Sequence, residues 1–156
     1  MKVDFSDQIN DLVRILVLLN ATKNRKSLKM NEVKITLYDY YLKFPRTMLG
    51  DVTGAEQWNW DEYYALFNWQ PDFIRYRQSL NHLMAKGFAE REFDGNVVYR
   101  ITELGEAALA AIESAYKQKL MGYAEAFIPK VIKLSDSKIE EEIRRKSSLL
   151  LRMREI

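Results

Sequence analysis

The chain has 156 residues, 47% hydrophobic and 29% charged, with a formal net charge of +2 at pH 7. That describes one globular domain with a real core, and a smaller positive excess than a protein living by phosphate contacts usually carries. Cysteine is absent, which excludes disulfides, thiolate metal sites and a cysteine nucleophile and fits a reducing cytoplasm.

The polar start MKVDFSDQIN holds no signal-peptide run. The longest apolar run, Ile15–Leu19, is far too short for a bilayer, so no membrane partner is expected. Ile9, Leu12, Val13, Leu16 and Leu19 have helical spacing and predict a helix over Asp7–Ala21, with Ser6 as N-cap. The polar, basic ATKNRKSLKM reads as a loop. Asn31 can cap a second helix through Phe44, with Val33, Leu37, Tyr40, Tyr41 and Phe44 on one side, and Pro45 ends it.

Residues 45–70 interrupt the pattern. Gly50 and Gly54 precede WNWDEYYALFNWQ, which concentrates three tryptophans, two tyrosines and a phenylalanine, and Asp61 could start one or two helical turns. A connection of this length is usually functional or disordered, and its aromatic density argues against disorder.

Pro71 suits the first turn of the next helix. Its buried stripe is Phe73, Tyr76, Leu80, Leu83 and Met84, and Gly87 stops it. Strands Ala89–Phe93 and Val97–Thr102 follow, joined around Asp94-Gly95. Thr102 caps a helix to about Ser114 that buries Leu104, Ala108 and Ile112. Helical pattern continues over Lys117–Phe127 until Pro129 interrupts it. Ser135 or Ser137 opens the last helix, Ser137 and Glu140 having capping-box spacing. Its ending, LLLRMREI, is more apolar than a free tail and reads as docked on the domain or joined to a partner helix.

Helix, glycine stop, hairpin and helix in that order are the back half of a winged helix. The expected fold is mainly α, a winged helix-turn-helix core with a two-stranded β-hairpin wing and additional C-terminal helices. It forms a single domain over residues 1–156. The core covers about 7–114, with the aromatic insertion at 45–70 and a helical extension at 115–156.

Catalysis finds no support. The one histidine, His82, has no partner constellation for a triad or a metal. Glu140, Glu141 and Glu142 stand four residues before Arg144, Arg145 and Lys146, the pattern of a solvated helix face. The glycines form no phosphate loop. The expectation is no enzyme, no cofactor and no metal.

Nucleic-acid binding has candidates. On Pro71–Lys86 the outward face would be Arg75, Gln78, Ser79, His82 and Lys86, types that read bases or touch phosphates; the wing could add Arg91 and Arg100. Against this, Asp61–Arg100 holds six acids and five bases. The basic loop Lys23, Arg25, Lys26 and Lys29 is the better phosphate contact. About 26 residues separate Phe44 from Pro71, where a DNA-reading helix-turn-helix has a tight turn. For protein binding, Trp58, Trp60 and Trp69 are candidate partner anchors, with an outer core layer as the equal alternative.

The segments RILVLLNAT, LYDYYL, YRQSLNHLMAKGFAEREFDGNVVYRITELGEAAL and LSDSKIEEEIRR occur in an order that resembles the middle component of bacterial ABC-three-component (ABC-3C) systems. That family is related to the small middle subunit of Lamassu-type SMC-like defence systems. The matching positions are Leu18–Asn20, Leu37–Leu42, Gly87–Phe93, Tyr99–Glu103 and Leu134–Glu140; the Trp-rich 58–69 matches no family motif.

The resemblance implies a non-enzymatic adaptor beside an SMC/Rad50-like coiled-coil ATPase and an effector subunit. Its setting would be cytoplasmic anti-phage defence, with DNA contacted through the complex. The rival expectation is a stand-alone winged-helix DNA-binding transcription regulator, a homodimer through its terminal helices.

Overall fold

The computed structural model describes residues 5–49 and 72–153. In chain order these form α1 (Phe5–Thr22), α2 (Glu32–Lys43), α3 (Pro45–Met48), α4 (Phe73–Ala85), β1 (Ala89–Phe93), β2 (Val97–Ile101), α5 (Glu103–Ala111), α6 (Ala115–Val131) and α7 (Asp136–Met153). The molecule is mainly helical with a two-stranded antiparallel hairpin and further C-terminal helices, an arrangement compatible with a winged helix. Gly50, Gly54, the Asp61 helix start, Pro71 and the three tryptophans lie outside the described residues.

Two helices form the centre. Ile15–Leu19 are buried consecutively, as are Ile35–Leu42, so α1 and α2 have neighbours on every side where a surface helix buries a single stripe. α1 packs on α2, α4, α5, α6 and β2, while α2 also meets α6, α7 and α3. Across α2–α6 the Phe127 ring stacks on Tyr41 at 4.9 Å and meets Tyr38 edge-on at 5.9 Å. Lys34 Nζ donates to Asp136 Oδ1 at 2.7 Å, Tyr40 Oη and Ser147 Oγ are 3.1 Å apart, and Lys146 Nζ donates to the Met48 carbonyl at 2.5 Å. One apolar cluster runs from Val13 to Ile143.

Local signals set most boundaries. The Asn31 side chain accepts from Lys34 N–H at 2.8 Å and starts α2. Gly87, at φ 78°, closes α4: Gly87 N–H bonds the Met84 carbonyl and Phe88 N–H the Leu83 carbonyl, the paired bonds of a Schellman motif. The register pairs Phe93 with Val97, leaving a three-residue loop, Asp94–Asn96, with Gly95 at φ 74°. Thr102 is the cap of α5 and not a strand residue; its hydroxyl accepts from Gly105 N–H at 3.0 Å.

Several expectations are corrected. Ser6 lies within α1 and does not cap it. Pro45 ends α2 but also opens α3 at its first position, so the supposed excursion begins as a helical turn. Of the two serines expected to open α7, Ser135 is the one that does, accepting from Lys138 N–H at 3.3 Å, so the Ser137–Glu140 capping box is not formed. α5 stops at Ala111, where Ile112 turns extended, and Ser114 caps α6 instead.

Pro129 does not interrupt α6. It removes only the bond to the Glu125 carbonyl; both residues face solvent, while Phe127, Ile128 and Val131 stay packed in the core. Ile9, Val33 and Phe73 are exposed at the outer ends of their helices. Leu104 is 57% exposed because Gly105 takes the inward position: a Cβ there would sit 2.0 Å from the Phe88 carbonyl oxygen.

Candidate functional site

The face of α4 expected to read bases is not a free cationic surface. Asp72 caps the helix, accepting from Arg75 N–H at 3.1 Å. The Arg75 guanidinium turns back to α1, where Nε donates to Asp11 Oδ2 at 2.5 Å. Arg77 lies across Glu32 at 3.3–3.4 Å. Ser79, expected to point outward, is buried. Gln78 and Lys86 remain exposed and His82 half-buried.

Beneath it lies a charge network that the periodicity did not single out. Asp39 is fully buried on α2 and accepts from Arg14 Nε at 2.9 Å and Tyr76 Oη at 2.5 Å, with Lys43 Nζ at 3.8 Å. Arg14 also bonds Asp11, and its Nη1 reaches Tyr116 Oη at 3.4 Å. α1, α2, α4 and α6 therefore meet in one polar centre.

Burial alone would lower the Arg14 pKa, but Asp39, the bond to Tyr116 and Asp11 together outweigh it and hold the guanidinium above its ordinary value. Burial lowers Lys43, against the pull of Asp39, and its ammonium sits 5.2 Å over the Tyr76 ring. Burial and then Asp39 push the Tyr76 phenol well above its usual range. Each charge of this network has a partner, so it reads as scaffold that fixes α4. Its sequence signals were a single acid inside LYDYYL and a single arginine before ILVLL.

The basic loop lies against the wing. Tyr99 N–H donates to the Met30 carbonyl at 2.9 Å, seating the loop along β2. Between them opens a cleft of about 560 Å³ that contains Lys23, Arg25, Lys26 and Lys29 on the loop side and Glu90, Asp94 and Arg100 on the hairpin. Lys29 Nζ is 3.4 Å from the Asp94 carboxylate and donates to its carbonyl at 3.2 Å; Lys23 pairs with Glu106 at 3.3 Å. On the wing Arg100 pairs with Glu92 at 3.3 Å. Phe93, at the wing's far end, is 80% exposed.

The structure thus brings Lys23, Arg25 and Lys26 together with Lys29 in one cleft and separates them from Arg75, Gln78, His82 and Lys86. Trp58, Trp60 and Trp69 lie outside the described residues. On α7, Glu142 receives both Arg145 at 2.9 Å and Lys146 at 3.7 Å. The bond from Arg145, against a smaller opposing effect of burial, holds its carboxyl below the usual range. Among the described residues no group of three or more metal-ligating side chains converges, and no helix is long and apolar enough to cross a membrane.

Residues 5–152 match the family model described as ABC-three component (ABC-3C) system Middle Component 2. No curated protein and no solved structure matches the chain.

Proposed function

We propose that the chain, which belongs to the ABC-3C Middle Component 2 family by its match over residues 5–152, works as a non-enzymatic adaptor. In this reading it joins an SMC/Rad50-like coiled-coil ATPase to an effector subunit in cytoplasmic anti-phage defence. DNA is met as part of that complex. The observation that carries the reading is the state of α4: Arg75 is turned back onto the buried Asp11 carboxylate, while Arg77 lies across Glu32 in a more exposed and weaker pair, so the helix offers a phosphate backbone few outward charges. A stand-alone regulator needs those charges outward.

Co-expression of the tagged chain with the products of its adjacent genes tests this. The adaptor co-purifies with a coiled-coil ATPase, and the isolated chain binds duplex DNA weakly and without sequence preference. Tight, sequence-specific binding by the chain alone at physiological salt would sink the reading.

A further inference from the structure

Four cations stand along the loop between α1 and α2, and two of them are held by acids from distant parts of the chain. Asp94, at the wing loop, takes Lys29; Glu106, in the first turn of α5, takes Lys23. Both pairs are open to water: side-chain exposures are 36% and 41% for Lys23 and Glu106, and 51% and 59% for Lys29 and Asp94. Exposed pairs of this kind are weak and are easily exchanged for another anion. Arg25 and Lys26 form no ion pair among the described residues, and Arg100 faces them across the cleft. The cleft therefore holds five cationic side chains against three carboxylates, Glu90, Asp94 and Glu106, and Arg100 has a fourth, Glu92, as its partner on the hairpin.

We propose that this cleft is a site for the phosphodiester backbone of nucleic acid, and that Asp94 and Glu106 occupy it as internal stand-ins for phosphate. The proposal rests on the reading that the subunit meets DNA within its complex, and it says where and how. Within the complex the backbone phosphates take Lys29 and Lys23 and the two exposed acids turn to solvent, whereas in the isolated subunit the acids keep both lysines. Four cations of the loop, Lys23, Arg25, Lys26 and Lys29, then oppose one carboxylate, Glu90, while Arg100 stays paired with Glu92. Binding is sequence-independent, because the α4 side chains that could read bases lie outside the cleft. The isolated subunit is accordingly a weak binder by construction, since two of its phosphate contacts are already occupied.

The test is fluorescence anisotropy of a labelled mixed-sequence duplex with the intact chain over a sodium chloride series. Neutralising both acids, D94N/E106Q, is expected to tighten binding by roughly threefold per released pair, the scale of an exposed ion pair. The dependence of log K on log salt should steepen by about 0.9 for each freed lysine. Adding K23Q/K29Q to that background returns both affinity and slope to the starting values. E140Q/E141Q on α7, the same change in net charge outside the cleft lining, leaves the slope unaltered.

An unchanged slope in D94N/E106Q overturns the proposal. So does a gain that survives K23Q/K29Q, an equal gain in E140Q/E141Q, or equal tightening toward poly-glutamate, which would make the cleft a site for acidic protein. Failure of the adaptor reading is separate: it shows as loss of co-purification in the unmodified chain, which these variants do not address.

Discussion

Tyr76 Oη donates to Asp39 Oδ2 at 2.5 Å, tying α4 to the centre of α2. The same carboxylate holds Arg14 Nε at 2.9 Å, so one buried acid serves a phenol and a guanidinium. Asp39→Asn leaves Arg14 buried with half its compensation and should cost about 3–5 kcal/mol. Tyr76→Phe removes one donor from a carboxylate that keeps its cations and should cost less, about 1–3 kcal/mol. Urea unfolding measures both. Losses below about 0.5 kcal/mol for each, the range of ordinary surface substitutions, would show that the network is solvated.

Tyr38 offers the opposite case. Its hydroxyl is buried with no hydrogen-bond partner among the described residues, while its ring packs edge-on against Phe127. Tyr38→Phe keeps the ring and removes the unsatisfied group, so stability should rise by about 1 kcal/mol. A loss in the same denaturation assay would mean that the hydroxyl has a partner.

Two glycines should respond with opposite signs. At Gly105 a methyl group would meet the Phe88 carbonyl oxygen at 2.0 Å and Ile101 Cγ1 at 2.8 Å. Gly105→Ala must therefore push α5 off the hairpin, at a cost of about 1–3 kcal/mol or more, despite alanine's better helix propensity. At Gly122, inside α6, nothing lies within 4 Å of the added atom, and Gly122→Ala should stabilise by up to about 1 kcal/mol. Thermal melts of the two variants should move in opposite directions; a shift of the same sign in both refutes the contrast.

Alkaline pH should destabilise the fold through its buried phenols. Burial pushes Tyr38 and Tyr41 up to about 12 and Tyr76 higher still, whereas in the unfolded chain each ionises at about 10. Between about pH 10 and 12 the unfolded state thus binds fewer protons, and stability falls as pH rises, by up to about 1.4 kcal/mol per pH unit for each tyrosine. Lys43, lowered by burial, acts in the opposite sense up to its ordinary value near about 10.4, so the fall steepens above that point. Melting temperatures across this range should drop less in Tyr41→Phe than in the parent chain. Equal drops would assign the alkaline loss to other groups.

What was legible in the sequence was local. Asn31, Gly87, Asp94-Gly95 and Thr102 act through bonds to residues a few positions away, and each appears in the structure at its expected role. What was not legible depended on partners far along the chain. Arg75 looked like a base reader because Asp11 stands 64 residues before it, and Lys23 and Lys29 looked free because Glu106 and Asp94 belong to later elements. The burial of Ile35–Leu42 on every side of α2 was hidden for a related reason: a stretch enclosed all round has no polar stripe, and its one acid, Asp39, serves Arg14. Leu104 was misplaced because the periodicity of α5 cannot register that its neighbour Gly105 makes the close approach.

The bond from Tyr99 N–H to the Met30 carbonyl also bears on how the hairpin avoids its own kind. A two-stranded ribbon has two open margins, each a template for another chain. Met30 covers the β2 margin, so among the described residues β1 is left as the exposed rim. That strand reads Glu90, Arg91, Glu92, with charges on both faces. A second molecule approaching in register would set like charges side by side, and the rim protects itself against fibrillar stacking.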